Sequence, residues 1–433
     1  MSVVVVVGLN HASAPFDLLE RVHVGTELQQ KLLAELPSGS AIDEAVVLAT
    51  CQRTEIYIAA EWYHPAVEQV QGALADIAGV PIDDITAHGF AYHGDQALRH
   101  LFRVAAGLDS PVVGETEVFG QLRAAATAAR AAGATGPELG AALRKATSVA
   151  RRSRTALAAG STEPRPSIAT SAVAMATELL AQPDGSGVKR QPANARIGVL
   201  GRGDVASSVL DALINADPSR ELVQFNRSSP KGGRVRARVT SYELVELPEH
   251  LAELDAVFCC TSAESIVVTE PMLLAALAER DARPLLVVDL AVPRDVAPTA
   301  RDIEDVTLLD VRDVSRFAGE RFAPPAHVIA AAEDVITEGV DEFLAAATGR
   351  TVAPLVTALR SKVEDVRVAE LARAKSLVGS LTDEQRDALD ALTRALVAKV
   401  LHDPTVRLKD AAGSEAGERL ASSVRHLFDL DDR

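Results

Sequence analysis

At 433 residues the chain is long enough for two to four domains, each with a core of its own. A hydrophobic share of 48% with 24% charged residues fits a soluble globular protein, while three cysteines and no metal-ligand spacing exclude a disulfide framework and a zinc module and favour a reducing, cytoplasmic setting. The net charge of −16 excludes general affinity for nucleic acid but not a local basic patch, for which Arg144, Lys145, Arg151, Arg152 and Arg154 are candidates; a solvated helix face is the other reading.

The valine run from Val3 to Val7 has no basic lead and reads as a buried strand, not a signal peptide. No apolar run approaches the roughly 20 residues that cross a bilayer. The patterning predicts a strand near 3–8, a helix near 26–36, strands near 45–50 and 54–60, a helix near 65–79 and a short strand near 88–92. This order, βαββαβ, is the ferredoxin-like split motif: an antiparallel sheet with both helices on one face.

Between the two middle strands lies Ala49-Thr50-Cys51-Gln52-Arg53-Thr54-Glu55, which reads as strand, sharp turn, strand, with a thiol at the turn. If the backbone is extended there, Cys51 and Arg53 point to one face. A guanidinium so placed favours the reactive thiolate and can grip a carboxylate with two bonds. A small apolar residue closing a strand, beside a solvated Arg53, is the competing reading.

From Gly94 to about Leu157 the period is helical, broken at Gly107-Leu108-Asp109-Ser110-Pro111 and again at 133–137, with a helix starting near Glu115 between the breaks. Ser161 to Pro166 reads as a domain boundary, 167–181 as an amphipathic helix, and 182–193 as a second loop. The strand Arg196 to Leu200 then leads into Gly201-Arg202-Gly203-Asp204-Val205-Ala206 and a helix reaching about Asn215. The first glycine permits a tight turn, the second lets backbone approach a pyrophosphate, and Ala206 is small where helix meets sheet. A further strand at 221–225 completes the βαβ unit and ends in Asn226-Arg227-Ser228, where an acidic residue would mark NAD. A cation and hydroxyls suit the 2′-phosphate of NADP; a solvent-facing Arg227 is the alternative.

Strands are also expected near 256–261 and 285–290, with Cys259 and Cys260 in the core and Pro293-Arg294-Asp295 near the nicotinamide end. Beyond Phe322 to Pro325 the chain reads as helical to its end, with interruptions at Gly349 and Pro354 and a turn at His402-Asp403-Pro404-Thr405. Helices of this length need an apolar partner, so a dimerisation domain is expected.

These residues resemble the glutamyl-tRNA reductase family over essentially the whole chain. The likeness is carried by Gly8-Leu9-Asn10-His11, Thr50-Cys51 with Arg53-Thr54-Glu55, His100 to Ala105, Gly107 to Ser110, Gly114-Glu115 with Gly120-Gln121, the glycine turn, Val288 to Val296 and Leu401 to Thr405. The resemblance implies an α/β multidomain chain: a ferredoxin-like catalytic domain plus helices at 1–160, a Rossmann-type NADP domain at 161–318, and a helical dimerisation domain at 319–433. It implies an NADPH-dependent, cytoplasmic homodimer that reduces the glutamyl group of glutamyl-tRNA(Glu) to glutamate-1-semialdehyde, the entry step of tetrapyrrole (porphyrin) synthesis. The implied partner that receives the aldehyde is glutamate-1-semialdehyde aminomutase, and no metal or membrane is involved.

By the same resemblance Cys51 attacks the ester to form a thioester, which accepts hydride more readily, and His100 transfers a proton. The implied substrate residues are Thr50, Gln52, Arg53 (on the side-chain carboxylate), Ser110, Glu115, Thr116, Glu117 and Gln121. The implied cofactor residues are Gly201, Arg202, Gly203, Asp204, Val205, Ala206, Asn226, Arg227 and Ser228. This chain departs from the family pattern at Gln52 (usually Asn), at Thr116-Glu117 (usually a neutral pair such as Pro-Gln) and, harmlessly, at Ala206. Two other functions stay open on these residues: an acyl-thioester reductase that uses no tRNA, and a catalytically weak NADP-binding dimer that acts through partners.

Overall fold

The computed structural model describes residues 2–159, 167–181, 195–228, 238–280, 283–374, 379, 381–411 and 415–430. The expected boundary at Ser161 to Pro166 and the loop at 182–193 lie outside the described residues. The chain divides into two compact units, Met1–Thr337 and Glu338–Arg433.

The first unit holds both sheets found among the described residues. One consists of β1 (Val3–Asn10), β2 (Glu44–Thr50), β3 (Arg53–Ala60) and β4 (Phe90–His93), antiparallel in the order β2-β3-β1-β4, as the split motif requires. Helices α1 (Phe16–Arg21), α2 (Thr26–Glu35), α3 (Tyr63–Ala78), α4 (Ile82–His88), α5 (Gly94–Ala106), α6 (Glu117–Ala131) and α7 (Pro137–Ala159) surround it. β3 is buried along its whole length, because α3 and α7 both pack on it. Such a strand needs a nearly continuous apolar run, and polar residues on it stand out. After α5 the chain turns at Gly107 (φ 74°), where an added Cβ would lie 2.6 Å from the Glu115 carbonyl oxygen. The missing side chain is what lets the 110–117 loop close over the β2–β3 hairpin.

The other sheet is parallel and doubly wound: β5 (Ile197–Leu200), β6 (Leu222–Asn226), β7 (Val239–Glu243), β8 (Ala256–Cys259), β9 (Leu285–Asp289) and β10 (Val306–Asp310), in the order β10-β9-β8-β5-β6-β7. Helices α8 (Ile168–Leu180), α9 (Asp204–Ala216), α10 (Leu247–Leu251), α11 (Glu270–Ala278) and α12 (Val311–Phe322) flank it. Successive strand residues enter separate cores: Val199, Phe258 and Val288 on one face, Leu200, Val257 and Val287 on the other. Cys259 and Cys260 divide the same way and both are buried, as expected.

Helix α13 (Ala326–Arg373) starts in the first unit, where Ala332 and Ile336 are buried, and carries the chain into the second. There α14 (Asp383–Asp410) and α15 (Glu415–Phe428) follow. The expected interruptions do not occur. α13 runs through Pro354 and α14 through Pro404. An interior proline costs about 3 kcal/mol, but Leu355, Val356 and Leu408, next to or near the two prolines, form one buried cluster. Burial of roughly 1.5–3 kcal/mol per large side chain exceeds the penalty. Leu392, Leu396 and Val400 form an exposed apolar stripe along α14. No helix among the described residues is long and apolar enough to cross a membrane.

Candidate active site

Thr50 and Arg53 are paired across the β2–β3 ladder, so Cys51-Gln52 is a two-residue hairpin loop. Cys51 therefore sits in the turn, and the extended geometry that would have aligned it with Arg53 is absent. Arg53 is 2% exposed. Its Nη1 donates to Glu55 Oε1 (2.6 Å) and Asp109 Oδ2 (3.0 Å), and Nη2 donates to the Asp109 carbonyl. Tyr57 Oη donates to Glu55 Oε2 (2.5 Å). His100 Nε2 lies 3.0 Å from Glu55 Oε1, within ion-pair range, yet without hydrogen-bond alignment.

Glu55 is thus the hub of a buried charge network. Burial by itself would raise its carboxyl; His100 and Arg53 overcome this and, with Tyr57, hold it at about 2. Glu55, His100 and Asp109 bring ligand-type atoms within 4.8 Å of one another, but Arg53 already supplies a cation between Glu55 and Asp109.

The expected lowering of the Cys51 thiol does not occur. Burial, reinforced by Glu115 and Glu117, pushes it up to about 12, and Arg53, whose charge is spent on two carboxylates, offsets little of this. Cys51 shares a cavity of about 20 Å³ with Thr50, Gln52, Arg53, Ser110, Glu115, Glu117 and Gln121. Exposed Thr116, at the N-cap of α6, does not line it, and neither does His100, which lies among Tyr57, Phe90 and Tyr92. Burial raises both acids of the loop. Glu115 is drawn back by Ser110 and Arg53, whereas Glu117, with Glu115 and Asp204 nearby, reaches about 7.

A second cavity, of about 310 Å³, shares Cys51, Gln52 and Pro111 with the first. Its remaining wall includes His11, Phe16, Arg312, Ser315 and Arg316, so it lies between the hairpin and α12 of the parallel sheet. Gln52 Nε2 donates to Ser315 Oγ (2.9 Å), while Gln52 Oε1 is buried with no partner. Arg294 ties the same two parts together through Glu20 and Asp17, and it stacks on Phe16 with its carbon Cζ 5.3 Å from the ring centre. Asp295, buried, accepts from the Thr261 amide (2.8 Å). Arg294 and Asp295, expected with Pro293 near the nicotinamide end, thus have structural partners.

At the glycine turn, Gly201 has φ 105°, and a Cβ there would meet the Cys260 carbonyl oxygen at 2.5 Å. A Cβ on Gly203 would meet nothing within 4 Å, which is the open approach a phosphate needs. Gly203 is also the N-cap of α9 and brings no side chain to its first amides. Ala206 is fully buried beneath the turn, Val205 is half-buried, and Arg202 and Asp204 are exposed. Gln224 Nε2 donates to the Gly201 carbonyl (2.9 Å). Asn226 is buried with its amide, suitably turned, on the same oxygen, while Arg227 and Ser228 are exposed beyond β6. The turn suits a dinucleotide cofactor. The basic residues of α7 are spread over its exposed and half-buried positions, with Arg154 stacked 4.2 Å from the centre of the Phe119 ring.

Sequence reasoning misses Glu55, Tyr57 and Asp109 as members of the site. A signal is present for two of them: Arg53, Glu55 and Tyr57 recur at every second position of a strand, so they share one face. Nothing local marks Arg312, Ser315 or Arg316.

Residues 7–157 match the model of the Glutamyl-tRNAGlu reductase N-terminal domain, 186–317 that of Shikimate / quinate 5-dehydrogenase, and 331–430 that of the Glutamyl-tRNAGlu reductase dimerisation domain. The glutamyl-tRNA reductase of Frankia casuarinae is 34% identical over 98% of this chain and 95% of its own. That of Thermobifida fusca is 34% identical over 99% and 96%. The solved glutamyl-tRNA reductase from Methanopyrus kandleri is 25% identical and covers 99% of each chain, with a TM-score of 0.47.

Proposed function

This chain belongs to the glutamyl-tRNA reductase family, and from that premise we propose that it reduces the glutamyl group of glutamyl-tRNA(Glu) to glutamate-1-semialdehyde, with NADPH as reductant, at the entry to tetrapyrrole synthesis. The observation that carries the reading is Cys51 itself, a thiol at a hairpin tip that forms part of the wall of two cavities beside a dinucleotide-type fold.

Attack by the Cys51 sulfur on the ester carbonyl forms a thioester and releases the tRNA 3′-oxygen. A thiol near 12 must first lose its proton, and Glu117, near 7 and on the same cavity wall, accepts it and returns it to the leaving oxygen. NADPH, held at the Gly201 turn, would supply hydride to the thioester carbonyl, and a proton from solvent completes the hemithioacetal. Collapse of the resulting hemithioacetal regenerates the thiol and frees the aldehyde. Glu115 and Glu117 favour the substrate ammonium group; Thr50, Ser110, Gln121 and the Nε of Arg53, which makes none of the network bonds, serve its side-chain carboxylate. Gln52 braces the hairpin, Thr116 shapes the loop, and His100 acts at a distance through Glu55 and Arg53.

Gly201 to Ala206 hold the dinucleotide, with Asn226, Arg227 and Ser228 towards its 2′-phosphate; exposed cation and hydroxyl groups and no carboxylate at 226–228 support NADP over NAD. The work divides as catalysis at 1–160, cofactor binding at 161–318 and dimerisation at 319–433. The exposed stripe Leu392, Leu396 and Val400 supports a homodimer. Free thiols, Cys51 among them, fit the cytoplasm, where glutamate-1-semialdehyde aminomutase would receive the aldehyde.

The test is incubation of the protein with radiolabelled glutamyl-tRNA and NADPH beside a Cys51→Ser variant. Semialdehyde from the parent alone is expected. Turnover of a glutamyl thioester without turnover of glutamyl-tRNA, or cofactor binding without acylation, would each overturn the reading.

A further inference from the structure

We infer that the larger cavity beside Cys51 seats the 3′-terminal nucleotide of the RNA half of the substrate, with Arg312 and Arg316 on its 5′-phosphate and the backbone phosphate that precedes it; this rests on the glutamyl-tRNA reading above. During acylation the carbonyl carbon lies against the sulfur, so the amino-acid side and the leaving oxygen must extend in different directions. Cys51 belongs to both cavities. The small one, about 20 Å³, has room for little more than one water molecule until it opens, but Glu115 and Glu117 beside Arg53 attract an ammonium group and repel phosphate. The other, about 310 Å³, carries two guanidinium groups and no carboxylate among its lining residues, and its size is at the lower end of small-molecule sites. Phosphate contacts from arginine are the usual way a protein positions nucleic acid.

The cofactor's own phosphates do not compete for these arginines. They belong at the Gly201 turn after β5, whereas Arg312 follows β10, three strands away in the sheet order. At about 4.8 Å per strand that is roughly 14 Å. Arg312 and Arg316 stand one helical turn apart, and their side chains are 54% and 68% exposed. Arg312 gives Nε and Nη2 to Asp310 and stacks on Phe16, its Cζ 4.8 Å from the ring centre, which leaves Nη1 for a ligand; Arg316 gives only Nη2, to Asp313.

The experiment measures binding of fluorescently labelled, deacylated tRNA(Glu) to the full-length protein against salt concentration, for the parent, Arg316→Glu and Arg312→Gln. NADPH affinity and the thermal midpoint of each variant report on cofactor site and fold. Arg316→Glu is expected to weaken tRNA at least about 10-fold at low salt, and each variant to lower the log–log salt slope by about 1. With glutamyl-tRNA as substrate, KM rises and kcat changes less. Unchanged tRNA affinity and salt slope in both variants, with turnover of glutamyl-tRNA by the parent, would overturn this inference alone. Weakened NADPH with unchanged tRNA would assign the cavity to the cofactor and overturn it too. A parent that is acylated by a small glutamyl thioester but never by glutamyl-tRNA would overturn the reading beneath it as well.

Discussion

Two loops in the first unit are made of opposite materials. At Cys51-Gln52 the working groups are side chains, held by a buried network in which Arg53 pairs with Glu55 and Asp109 while Tyr57 and His100 lie against Glu55. At Gly201 to Gly203 the working groups are backbone amides, and what matters is the side chains that are missing. A site made of buried charges fails when one charge is removed and its partner is left in low dielectric. A site made of backbone fails when a methyl group is added. The two should therefore respond to different perturbations, and each perturbation should leave the other loop intact.

The largest effect is expected at Glu55. Glu55→Gln leaves Arg53 and His100 underpaired in the interior and should destabilise the first unit by roughly 3–5 kcal/mol, measured by urea unfolding. A loss below about 1 kcal/mol would contradict the network's role. Because the folded carboxyl is held at about 2, below its ordinary 4.5, its stabilisation is present above about 4.5 and disappears as pH falls towards 2. In Glu55→Gln that part of the acid transition should be missing.

Next is Glu117→Gln, expected to slow acylation of Cys51 by on the order of 10²-fold at neutral pH. In the parent, acylation should rise with pH through about 7 as Glu117 loses its proton. In the variant the rise should instead follow the thiol itself at higher pH, where burial and Glu115 still hold it up. Retention of the limb near 7, or its loss in His100→Asn instead, would move the proton-transfer role away from Glu117.

Gly201→Ala should raise the dissociation constant for dinucleotide about 10-fold or more, since the strained backbone and the contact with the Cys260 carbonyl oxygen cost roughly 1–3 kcal/mol. Thioester formation at Cys51 should survive in this variant, which separates the two loops. The smallest change is Arg227→Ala, expected to weaken NADPH several-fold to about 10-fold while NADH is nearly unaffected, because in the proposed site a single exposed cation is assigned to the 2′-phosphate. Equal losses for both nucleotides would remove that role.

The difference between the loops also explains what can be read from the chain. A backbone site demands glycine at fixed places between a strand and a helix, so Gly201 to Ala206 is legible in the amino-acid sequence alone, as is the succession of strands around it. The hairpin is legible as a strand-turn-strand, but the state of its thiol is not. That state depends on Asp109, Glu115 and Glu117, which lie more than fifty residues along the chain, and on how far Glu55 and Asp109 absorb the charge of Arg53. The prolines mislead for a related reason. Pro354 and Pro404 are helix breakers by local chemistry, and burial of Leu355, Val356 and Leu408 overrides them. The arginines of α12 reach Cys51 only through the pairing of β10 with β9, a contact with no local sequence mark.

In the proposed reaction the sulfur of Cys51 carries the glutamyl group between tRNA and reduction. Intact-mass and peptide mass measurement of the protein mixed with glutamyl-tRNA in the absence of NADPH tests it directly. One glutamyl adduct is expected, on the peptide that contains Cys51, and it should be discharged as aldehyde when NADPH is added. Normal turnover with no adduct, or with the adduct on another residue, would contradict it.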